Sequence, residues 1–145
     1  TPSRWDCMAV LSDTEGKGYY GYFTADPKGN GSRLCDRCGA GFGHSLDGLH
    51  WTGLPSPGPS INGEVGGVAR INGTVYMTFQ GGRLFVSSGG GPEGPFVPVG
   101  KNEMLTTDGG TIFPRLWGED VTGDKDTVLL THHQSIGKQA FAFAP

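Results

Sequence analysis

Three carboxylates stand where a strand is about to begin. Glu64 lies in Gly63-Glu64-Val65-Gly66-Gly67, Asp108 in Thr107-Asp108-Gly109-Gly110-Thr111, and Asp6 in Trp5-Asp6-Cys7-Met8. Carboxylates gathered at one point suit glycoside chemistry. Cleavage passes through a cationic, oxocarbenium-like state. One acid protonates the leaving oxygen, and a second carboxylate activates water or attacks the sugar. A carboxyl converging with others holds its proton closer to neutral pH, because like charge and burial both oppose ionisation. Other side chains suit sugar contacts. Trp5, beside Asp6, offers a stacking ring. Arg115, next to Phe113 and Pro114, suits a sugar hydroxyl or carboxylate. His132 and His133 fall in one strand candidate, so one ring points to each face. Each residue also has a plainer reading: a solvated carboxylate before a strand for Glu64, and turn residues bonding their own backbone for Asp6 and Asp108.

Strand candidates supply the frame for these residues, in three groups. The first runs over 5–54, with Cys7–Leu11, Tyr19–Ala25, Gly39–His44 and His50–Thr52. The second runs over 64–100, with Val65–Ile71, Thr74–Phe79, Arg83–Ser87 and Pro95–Val99. The third runs over 108–145, with Thr111–Leu116, Thr127–Thr131 and Gln139–Phe143. Asp47-Gly48, Asn72-Gly73, Gly81-Gly82 and Gly123-Asp124 mark the turns between strands. Each group has about the length of a four-stranded propeller blade, and the third stops one strand early. No stretch shows a helical apolar period. A β-sandwich shares the rhythm of short strands and turns. The propeller is favoured because all three groups open alike, with a carboxylate at the start of the first strand. The expected fold class is therefore all-β: a single propeller-like domain of about three blades, an incomplete ring.

Composition narrows the function classes. The 145 residues carry 27 Gly and 10 Pro, with β-branched and aromatic clusters between them, as in a turn-rich β domain. A net charge of −3 argues against nucleic-acid and anionic-membrane partners, which need a basic patch. No segment approaches the roughly 20 apolar residues of a membrane span. The chain begins at Thr1 with no visible signal peptide, which reads as a processed chain or a fragment. Cys7 and the pair in Cys35-Asp36-Arg37-Cys38 leave three readings open: a zinc site with His44 as fourth ligand, a disulfide, or free thiols. No cofactor is expected. Asn30-Gly31-Ser32 and Asn72-Gly73-Thr74 fit the N-glycosylation pattern, although Asn-Gly is first of all a hairpin turn. Asp47 is read as structural, and Glu119 to Asp126 as a solvated hairpin tip.

Taken together, these residues resemble the five-bladed β-propeller glycoside hydrolases, the clan of β-fructosidases, α-arabinofuranosidases and β-xylosidases. Ser45-x-Asp47-Gly48-x-His50-Trp51 looks like their recurring turn. Gly63-Glu64-Val65-Gly66-Gly67 followed by Gly73-Thr74-Val75-Tyr76-Met77 resembles the blade carrying their acid glutamate. Arg4-Trp5-Asp6 is similar to their aspartate-bearing blade opening. The resemblance implies Glu64 as general acid and Asp6 as the carboxylate that tunes the acid and holds the sugar. It places the first carboxylate, nucleophile or base, upstream of Thr1. It implies a carbohydrate ligand, an extracellular setting, and further copies or a second chain completing the ring. The alternatives are a non-catalytic carbohydrate- or protein-binding segment and a structural subunit of a complex.

Overall fold

The computed structural model describes residues 5–25, 39–58, 63–100, 111–125, 127–136 and 138–144. The chain forms three antiparallel sheets. Strands β1 (Trp5–Ser12), β2 (Tyr19–Ala25), β3 (Gly39–Ser45) and β4 (Thr52–Leu54) pair in chain order. So do β5 (Val65–Ile71), β6 (Thr74–Phe79), β7 (Arg83–Ser87) and β8 (Phe96–Pro98). The third sheet joins β9 (Thr111–Trp117) to β10 (Leu129–Ile136) and β10 to β11 (Lys138–Ala144). A single helical turn, α1 (Glu119–Thr122), separates β9 from β10. The all-β expectation holds. Three local readings do not. The strand expected over Thr127–Thr131 runs over Leu129–Ile136. His50 and Trp51 belong to the turn before β4 rather than to a strand, because Asp47 draws the backbone there into a tight loop. The segment read as a hairpin tip begins as α1, closed by Gly123 in the left-handed conformation at φ 70°.

Local chemistry explains the strands. In β6, Val75, Met77 and Phe79 alternate into the core at period two. Asn72 and Gly73 join β5 to β6 with φ values of 46° and 75°. Two consecutive positive φ angles give the turn whose twist matches a hairpin, and Ile71 pairs with Thr74 across it. Full burial of each side chain such as Val75, Met77 or Phe85 is worth about 1.5–3 kcal/mol.

The second sheet lies between the other two, so β5 is buried along nearly its whole length. Against the first sheet, Tyr22 meets Phe96 edge-on at 5.9 Å, and its hydroxyl donates to the Pro92 carbonyl at 2.7 Å. The Val65 N–H donates to Thr24 Oγ1 at 3.0 Å. Against β9, the Thr78 hydroxyl donates to the Pro114 carbonyl at 2.7 Å. Gly66 permits that approach, since a Cβ there would lie 2.5 Å from the Pro114 oxygen.

Arg70, buried near the end of β5, binds all three units. Its Nη1 lies 2.8 Å from Asp120 Oδ1 on α1, and its Nη2 donates to the Ser12 carbonyl at 3.1 Å. The Asp120 carboxylate is thus an anchor for β1 and β5, not part of a solvated tip.

Candidate functional site

The first strands of the three sheets are neighbours: β1 packs on β5 and β5 packs on β9. Among the described residues each pairs within its sheet on one side only, so the three edge strands meet in one region. Their starts and their later stretches create two adjoining features.

The first feature is the junction of the starts of β1 and β5. The β1–β2 register slips between Asp6 and Ala9, and within that bulge Cys7 adopts φ 53°. A bulge re-aims the side chains around it. The Cys7 Sγ–H lies 3.8 Å from Glu64 Oε2. Asp6 pairs with Thr24, whose hydroxyl accepts from the N–H of Val65, the residue after Glu64. Two independent links therefore tie the Asp6–Cys7 backbone to the Glu64–Val65 segment. Trp5 pairs with Ala25 one step further out.

The second feature is a cavity of about 360 Å³ bounded by β1, β5, β9 and α1. Met8, Val10 and Ser12 of β1, Gly67 and Ala69 of β5, and Arg115 and Trp117 of β9 line it. Arg115 is solvent-exposed, and its side chain makes no hydrogen bond or ion pair among the described residues. Asp120 also borders the space, but its carboxylate is held by Arg70.

The remaining sequence candidates fall as follows. Asp108 lies outside the described residues, as do Cys35, Cys38 and Asn30. His132 is in β10, paired with Ala142 of β11, one strand away from the first-strand edges. Cys7 is a thiol rather than half of a disulfide. His44 stacks at 4.9 Å on Tyr20, with Nε2 3.9 Å from Asp13 Oδ2. Among the described residues no three metal-ligating side chains come together.

Asp47 is structural, as its sequence context suggests. Its Oδ1 accepts from the N–H groups of Leu49 and His50, both at 2.8 Å, and Oδ2 meets His50 Nδ1 at 2.7 Å. Ser45 Oγ accepts from Gly48 N at 2.8 Å, and Trp51 Nε1 donates to the Gly48 carbonyl at 3.1 Å. The donors at His50, backbone first and ring second, hold the Asp47 carboxyl well below the usual carboxylate range. Burial acts the other way on Tyr22, pushing its phenol far above the usual value.

Sequence reasoning missed Arg70. Its signal was available: a lone arginine within the otherwise apolar run Val65–Ile71 needs a partner wherever that strand is buried. Comparison with known proteins finds no family model, curated protein or solved structure that matches this chain.

Proposed function

We propose that the chain is a β-propeller segment of about three blades that binds glycosides, and hydrolyses them when its ring is completed by the rest of a longer polypeptide, by further copies or by a second chain. The observation that carries this reading is the convergence of the β1 and β5 starts, where Cys7 meets the Glu64 carboxylate at 3.8 Å. Two other features support it: three antiparallel meanders in succession, and first strands that lie side by side as edge strands among the described residues. Stacked meanders arranged about their first strands suit a propeller.

In this reading Glu64 is the general acid that protonates the leaving oxygen, and Asp6 contacts the sugar and raises the proton affinity of that acid. Trp5, Asp108 and His132 are the further sugar contacts expected from the sequence, and Arg115 lines the adjoining cavity. The carboxylate that attacks or activates water is contributed by the rest of the ring. The setting proposed is extracellular, with no nucleic-acid or membrane partner.

The test is turnover of alkyl xylosides, arabinofuranosides and fructosides, whose alkoxide leaving groups need protonation, by the assembled protein, compared with Glu64→Gln. The glutamine variant is expected to lose hydrolysis of substrates whose leaving group needs protonation. Unchanged turnover removes Glu64 from the role of acid.

A further inference from the structure

The walls of the 360 Å³ cavity carry an asymmetry of charge. Two arginines and one carboxylate border it or support it. Arg70 is consumed by Asp120 and by the Ser12 carbonyl, at 2.8 and 3.1 Å. That pairing neutralises the Asp120 carboxylate. Arg115 is then the remaining charge on the described walls, a cation in a chain whose net charge is −3. Its side chain makes no hydrogen bond or ion pair with a described residue.

Position adds a second element. Arg115 and Trp117 are two residues apart on β9 and so leave the strand on the same face, while Leu116 between them is buried. Both line the cavity. A guanidinium holds a carboxylate through two parallel N–H···O bonds, and an indole face covers the apolar side of a sugar ring. Gly67 and Ala69 of β5 also line it, and Gly67 lets the β9 backbone pack close, since a Cβ there would lie 3.0 Å from the Leu116 nitrogen. The volume lies within the roughly 300–1,000 Å³ of small-molecule sites.

We infer that this cavity binds an acidic saccharide, a uronic-acid unit whose carboxylate is held by Arg115 and whose ring lies against Trp117. The inference rests on the carbohydrate reading and adds to it the charge of the ligand and the residue that selects it.

Isothermal titration with trigalacturonic acid and with its fully methyl-esterified, uncharged counterpart tests it. The acid is expected to bind at least tenfold more tightly than the ester at low ionic strength, with the gap narrowing in added salt. Arg115→Gln removes the gap between acid and ester. Arg115→Lys retains part of the preference, since a point charge remains without the fork. Trp117→Ala weakens acid and ester alike. Arg115 is exposed, so its replacement leaves the core packing intact. Equal binding of acid and ester by the parent protein overturns the proposal and leaves the carbohydrate reading standing. So does a preference that survives in Arg115→Gln. Binding of neither probe, with neutral xylotetraose and arabinotetraose also failing to bind, overturns both.

Discussion

Replacing Asp120 by alanine tests how the three sheets are held together. In the parent protein the Arg70 side chain is 6% exposed and that of Asp120 24%. Removal of the carboxylate leaves a guanidinium buried near the end of β5, with the Ser12 carbonyl as its remaining partner at 3.1 Å. Removing one member of a fully buried pair costs about 3–5 kcal/mol, because the other charge stays desolvated. Asp120 is only partly buried, and water reaches the gap through the adjoining cavity. The expected cost is therefore about 2–4 kcal/mol. With a urea m-value of about 2 kcal/mol/M, the unfolding midpoint falls by roughly 1–2 M at unchanged slope. The assay is equilibrium urea unfolding followed by far-UV circular dichroism. In Arg70→Met/Asp120→Ala no buried charge remains, and about half of the loss or more is regained. The cycle separates the pair from the packing of each side chain. An Asp120→Ala protein within about 0.5 kcal/mol of the parent refutes the idea that Arg70 clamps β1, β5 and α1.

Two further predictions address packing and pH. Gly66→Ala places a Cβ 2.5 Å from the Pro114 carbonyl oxygen, a backbone atom, and is expected to destabilise by about 1–3 kcal/mol. Gly21→Ala meets Met8 Cε at 2.5 Å and the Trp51 ring at 2.6 Å, both ends of side chains beside an open apolar groove, and should cost less than about 1 kcal/mol by chemical denaturation. Equal losses contradict the close approach of β5 and β9. The Asp47 carboxyl titrates below its ordinary value of 3.8, so the stability that it lends its turn is complete above that pH and is lost as acidification passes the lower folded value. The Leu49 and His50 amide resonances should report that acid transition, and Asp47→Ala should remove it. Amides that titrate near the ordinary carboxylate value contradict the hydrogen-bonded turn.

Much of the fold was legible because its signals are local. Alternation in Thr74–Phe79, positive φ at Asn72 and Gly73, and the Asp47 turn all follow from neighbouring residues. Strand ends were less legible. Asp47 reaches forward to bond Leu49 and His50, and so takes His50 and Trp51 out of the strand that their types suggested. The one-turn helix α1 is too short to leave a period in the sequence, and its Asp120 is fixed by a partner fifty positions earlier. The candidate site was legible as carboxylates before strands. The bulge that turns Cys7 toward Glu64 was not, because it depends on the register of β1 against β2. Nor does spacing alone reveal that Arg115 and Trp117 border a cavity, since that needs the packing of β9 against β5.

The most direct test of a saccharide site at the first-strand edges is amide chemical-shift mapping by NMR. The probes are xylotetraose, arabinotetraose and trigalacturonic acid added to the isotopically labelled protein. The expected result is saturable shifts at Cys7, Glu64, Gly67 and Arg115, with the distant β4 and β8 strands unaffected. Shifts confined to β4 and β8, or no saturable shift with any of the three saccharides, contradict it.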